Sequence, residues 1–144
     1  GRLLEPRCAA GWQREILVAD AGAHRISVFC ADSGAPLRTL GAYGSRPGLM
    51  NEPFGVAVVA GCLAVSESEG RRVQLLTLSQ GTPLQVLQLG GGRLRGLCYD
   101  EQLERLYVAD HDHNRLRVLE FDATRCVRVK GIMAVQGPQL ALTR

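Results

Sequence analysis

Apolar and polar residues alternate along this chain in short runs, each broken by glycine, proline or small polar residues. Residues 54–59 set apolar positions against small ones, and 62–66 resume after an Ala60-Gly61 turn. Beyond the polar stretch 67–71, residues 72–77 alternate polar with apolar side chains, and 84–89 follow a Gln80-Gly81 turn. A period of two marks a half-buried strand, because successive side chains leave opposite faces of the pleat. Glycine at the turns supplies positive φ without steric cost. Glycine and proline recur too often for helices, and no window sustains apolar residues at helical spacing. The pattern predicts an all-β fold of short strands.

The same pattern returns along the chain. Val18-Ala19-Asp20 leads to Arg25-Ile26-Ser27-Val28-Phe29, Val65-Ser66-Glu67 to Arg72-Val73-Gln74-Leu75-Leu76, and Val108-Ala109-Asp110 to Arg115-Leu116-Arg117-Val118-Leu119. Each time an acidic residue stands five positions before an arginine. Upstream, Asn51-Glu52-Pro53-Phe54-Gly55 precedes the second copy and Leu94-Arg95-Gly96 the third. Leu4-Glu5-Pro6 aligns with Asn51-Glu52-Pro53, and Cys8 then stands where the other copies have Gly55 and Gly96. Four strands within a period of about 40–50 residues is the spacing of a β-propeller blade. The expected fold is therefore all-β, with about three blades of four antiparallel strands. Residues 1–130 form the repeat segment, with copies over about 4–41, 51–90 and 92–130. Residues 131–144 hold no further copy and are expected to be an irregular tail.

Three stretches carry a resemblance to the NHL repeat family. Pro53-Phe54-Gly55-Val56-Ala57-Val58 resembles its Pro-x-Gly-Val-Ala-Val start. Val18 to Phe29 resembles its Val-Ala-Asp-x-x-Asn-x-Arg-Ile-x-Val-Phe centre, and Leu40-Gly41-Ala42-Tyr43-Gly44 its Gly-x-x-Gly close. Departures include Ser66-Glu67 for Ala-Asp, Gly70 near the asparagine position, Asn114 directly before Arg115, and no proline before Gly96. The resemblance implies a propeller of about six blades, so further blades would come from sequence beyond this chain or from self-association. It also implies a non-enzymatic interaction or scaffolding module, in some relatives the substrate-binding part of a ubiquitin ligase. Alternatives within the resemblance are a fragment of a metal-dependent propeller lyase or hydrolase, and an RNA-binding propeller.

Composition narrows these expectations only slightly. Hydrophobic residues make up 46% and charged residues 22%, as in ordinary globular proteins. The net charge of +3 rests almost wholly on arginine, Lys130 being the one lysine, and it specifies no nucleic-acid or membrane partner. Cysteines at 8, 30, 62, 98 and 126 form no Cys-x-x-Cys pair and sit mostly beside apolar residues, which points to a reduced, cytoplasmic setting. No apolar run is long enough to span a membrane as a helix. A start at Gly1 without methionine suggests a piece of a longer gene product.

The recurring pairs Asp20/Arg25, Glu67/Arg72 and Asp110/Arg115 are the main candidates for chemistry. Repetition at equivalent turns argues for structure: the acid caps its turn while the arginine bridges carboxylates or carbonyls. The functional alternative is a ring of charged turn residues at one propeller mouth, to which His24 and His113 would belong. His111-Asp112-His113 has metal-binding residue types but falls in a predicted turn, and no metal or cofactor is expected. Gly90-Gly91-Gly92 lacks the Gly-Lys-Ser/Thr finish of a phosphate loop and reads as a link between blades. The arginine clusters 71–72, 93–95 and 115–117 have few aromatics nearby, so RNA ranks behind a protein or peptide as the expected partner.

Overall fold

The computed structural model describes residues 2–122, 128–136 and 139–143, with side chains described for these except 128, 136 and 139–143. Three antiparallel sheets succeed one another along the chain. The first orders β1 (Pro6–Trp12), β2 (Glu15–Asp20), β3 (Arg25–Cys30) and β4 (Pro36–Leu40) side by side. The second repeats this with β5 (Pro53–Val59), β6 (Cys62–Glu67), β7 (Arg72–Thr77) and β8 (Pro83–Gln88). The third contains β9 (Leu94–Asp100), β10 (Arg105–Asp110), β11 (Arg115–Asp122), β12 (Arg128–Gln136) and a fifth strand, β13 (Gln139–Thr143). Strands expected from alternation in the second copy appear within a residue of their expected limits.

At the C-terminus the structure corrects the expectation of an irregular tail. Residues 131–136 belong to β12, which pairs with β11 through Val118↔Met133 and Leu119↔Ile132, and 139–143 pair back onto β12. Backbone pairing to a neighbouring strand is enough to form such strands, and they carry no turn motif of their own. The absence of a fourth motif copy is therefore no bar to strand formation there.

Each sheet is a blade, and the blades pack face to face. Val56, Leu63, Val65 and Leu76 of the second blade meet Leu17, Ala19, Ile26, Val28 and Leu40 of the first, with Met50 between. The alternate positions Ala57, Val59, Ala64, Val73, Leu75 and Leu87 turn the other way, onto Leu106, Val108, Leu119 and Phe121 of the third. Both faces of the middle blade are thus buried, so β6 and β7 are buried almost end to end, their polar Ser66, Glu67, Arg72 and Gln74 included. Each fully buried Leu, Val or Phe contributes about 1.5–3 kcal/mol relative to exposure. These two interfaces are the core.

The inner strands β1, β5 and β9 lie side by side, β5 touching both others. Where β5 meets β9 the backbones come very close. A methyl group on Gly55 would stand 2.9 Å from the Arg95 carbonyl oxygen and 2.7 Å from Ser66 Oγ. Glycine is needed here for approach, not for its φ. At the equivalent Gly96, an added methyl meets nothing within 4 Å.

Candidate functional site

The three turns between second and third strands, the first a short 3-10 helix over Ala21–Ala23, share one backbone feature. The residue before each arginine is left-handed: His24 at φ 53°, Arg71 at 57° and Asn114 at 49°. A bond from the turn then reaches back to the segment entering the inner strand: Ala21 N–H to Glu5 O (2.9 Å), Ser68 N–H to Glu52 O (2.8 Å) and His111 N–H to Arg93 O (3.0 Å). The acidic side chains reinforce this closure. Asp20 accepts the Leu4 and Glu5 amides at 3.0 and 2.7 Å, and Glu67 accepts the Asn51 amide at 2.9 Å. Asp110 instead contacts His113 Nδ1 (2.9 Å) and Arg115 Nε (2.8 Å), while Asp112 takes the Arg93 amide at 2.9 Å.

The arginines reach in the opposite direction, to the preceding blade. Arg72, bonded to buried Glu67 at 2.6 Å, donates to the carbonyls of Ser45 (2.6 Å) and Leu49 (2.9 Å) in the linker from the first blade. Arg115 and Arg117 donate to the Leu89 carbonyl at 3.3 and 3.0 Å. Arg25 holds the same position in the first blade, beside Asp20 in the ladder, but its Nε is buried with no partner among the described residues. It opens onto a cavity of about 280 Å³ that Ser27, Phe29, Leu37 and Thr39 also line. The eight candidate residues do not converge on one centre. Each blade keeps its own set, Glu67 with Arg72 and Asp110 with Arg115 and His113, while His24 is turned toward Tyr43.

His24 meets the Tyr43 ring edge-on at 4.8 Å, and its Nδ1 accepts the Glu52 amide at 3.0 Å. Tyr43 is nonetheless 67% exposed. Asp112 is held down to a pKa of about 2 by the Arg93 guanidinium hydrogen bond, with help from the Arg93 amide. At the other end of the blades, the hydrogen bond from Arg38 lowers the Glu15 pKa, and Arg38 also donates to the Leu78 carbonyl at 2.8 Å. Among the described residues, no three His, Cys, Asp or Glu side chains gather as metal ligands.

A second cluster lies at positions that the sequence does not mark as a site. Each inner strand begins with a bulge: its register against the next strand shifts between Pro6 and Cys8, between Pro53 and Gly55, and between Leu94 and Leu97. A bulge leaves a residue unpaired and re-aims its side chain. Arg7, Phe54 and Arg95 occupy these bulges, and they meet. The Arg7 and Arg95 guanidinium carbons lie 5.5 and 5.1 Å from the Phe54 ring centroid, within cation–π range. Arg7 also pairs with Glu5. Arg95 has a buried Nε without a partner among the described residues. Ser66 sets the spacing: it accepts the Gly55 amide at 2.9 Å and donates to the Arg95 carbonyl. The available signal was Ser66 itself, where the other copies carry Ala19 and Ala109.

No protein-family model matches this sequence, and no curated protein matches it. Solved structures do. The chain is similar to the WD40 repeats of RRP9, with a TM-score of 0.74 and 18% identity over 98% of this chain and 41% of that one. It is similar to a chain of a Nidogen/Laminin complex (TM-score 0.70, 17% identity, 98% of this chain and 51% of that one). It is also similar to a catalytically inactive virginiamycin B lyase from Staphylococcus aureus, crystallised with quinupristin (TM-score 0.69, 14% identity, 93% and 42%). The chain spans about half or less of these chains' lengths. At such identities the likeness is one of fold. This chain is a partial β-propeller of three blades.

Proposed function

We propose that the chain is a non-enzymatic propeller module of the NHL kind that binds a protein or peptide at the end carrying the turns between second and third strands. The observation behind this reading is Tyr43, two-thirds exposed yet fixed by His24, whose ring is itself anchored to the Glu52 amide. Rigid exposed aromatics anchor protein interfaces because they bury large area at small entropic cost. Leu4, 65% exposed, precedes β1 at the same end. The NHL assignment rests on the Asp-to-Arg spacing and the Pro-Phe-Gly start, and with it comes a role in presenting substrates for ubiquitin transfer by a domain carried elsewhere. The cytoplasmic setting expected from the scattered cysteines belongs to the same proposal. A Nidogen/Laminin complex among the similar structures offers a protein-bound precedent for the fold.

A photo-crosslinking amino acid placed at position 43, with the same group at exposed Leu103 on the opposite end as control, tests the reading. Specific protein adducts from position 43 and none from 103 are expected. Equal yields at both positions, or no adducts from 43, overturn it.

A further inference from the structure

We infer that the bulge cluster Arg7, Phe54 and Arg95 is a binding site for a carboxylate side chain, so that the partner engages this end of the propeller through an acidic peptide segment. The inference rests on the reading of that end as a protein-binding face.

Several independent observations meet at this cluster. Its three residues occupy the same repeat position in three blades, each in a bulge that removes it from the strand ladder. The framework arginines of the second and third blades are spent on the fold, Arg72 on Glu67 and linker carbonyls and Arg115 on Asp110 and Leu89. Among the described residues, Arg95 is spent on neither a carboxylate nor a carbonyl. Its guanidinium lies against the Phe54 ring, and its Nε is buried with no acceptor. The rest of its guanidinium likewise has no acceptor among the described residues, and a carboxylate offers the planar pair of oxygens that such a fork matches. Phe54 offers its π face to both guanidinium groups. Glu5, already paired with Arg7, shows that a carboxylate fits at this mouth and provides an internal competitor for the incoming one.

The same geometry argues against nucleic acid. Base recognition by such modules needs a free aromatic face for stacking. Here guanidinium groups lie over the Phe54 ring.

The test titrates the full chain with hexaglutamate, tracking the Arg7 and Arg95 Nε–H NMR signals and measuring affinity by calorimetry. Hexaglutamine and a uridine hexamer serve as comparators. Hexaglutamate is expected to move both signals and hexaglutamine neither. Arg95→Gln should weaken hexaglutamate binding about tenfold, as loss of a charge-assisted bidentate contact does. Arg105→Gln, at the opposite end and paired with Glu120, should leave it unchanged. Glu5→Gln, which releases Arg7, should strengthen binding, an outcome that general damage to the fold would not produce. Unmoved arginine signals in the unaltered chain overturn the inference, as does equal weakening by Arg95→Gln and Arg105→Gln. Tighter binding of the uridine hexamer at the same signals also overturns it. Adducts from position 43 without a hexaglutamate response would sink this inference alone. A hexaglutamate response without adducts would sink only the broader reading.

Discussion

Arg72→Met separates a framework role from a surface one. In the structure Arg72 is 7% exposed and Glu67 fully buried, and the guanidinium joins that carboxylate to the Ser45 and Leu49 carbonyls. Methionine keeps most of the packing volume but leaves a buried carboxylate facing Asn51 N–H and the Gln74 amide, at 2.9 Å each. Removing one partner of a buried ion pair costs about 3–5 kcal/mol, a large share of the roughly 5–15 kcal/mol that holds a domain folded. Arg25 supplies the comparison within the same molecule, since its Nε has no partner among the described residues. Arg25→Met should therefore cost under about 1 kcal/mol. Adding Glu67→Gln to Arg72→Met removes the stranded charge and should recover about 1–3 kcal/mol, the coupling expected of direct partners. Urea denaturation of the full chain, with unchanged m-values, reads all three. The reasoning is refuted if Arg72→Met and Arg25→Met cost the same, or if the double variant is no more stable than Arg72→Met.

Two other parts of the structure predict measurable outcomes. Asp112, whose pKa falls from 3.8 to about 2 against Arg93, gives a contact fully present above pH 3.8 and lost as the pH drops through about 2. Its carboxyl carbon shift in NMR should titrate there and return toward 3.8 in Arg93→Gln. Gly55→Ala should destabilise by about 1–3 kcal/mol, because the added methyl meets the rigid Arg95 carbonyl, whereas Gly96→Ala meets nothing and should be close to neutral in the same denaturation assay.

The blades were legible in the sequence because both their signals are local. Alternation fixes which side chains of a strand share a face, and the five-residue step from acid to arginine marks a turn closed within one hairpin. The direction in which each arginine reaches was not legible. Arg72 and Arg115 bind carbonyls from the preceding linker, at separations only the packed blades bring within range. The Arg7, Phe54 and Arg95 cluster escaped for a related reason. Alternation assigns these residues to strand starts, and the bulge that turns them out of the ladder appears only when two strands are registered against each other. Strand β12 was hidden because the segment from Gly131 onward repeats no motif, and pairing to a neighbouring strand needs none.

The backward reach of Arg72 and Arg115 gives their two joints a polarity. Arg72 and Arg115 each clasp the linker that leaves the preceding blade, so in these two joints the guanidinium belongs to the later blade. As the polypeptide leaves the ribosome, a finished hairpin finds its carbonyl partners already synthesised, so each blade can latch onto the one before it while its own successor is still unmade. These two clasps then close in the order of synthesis, although their catches differ, Ser45 and Leu49 in one linker and Leu89 in the other.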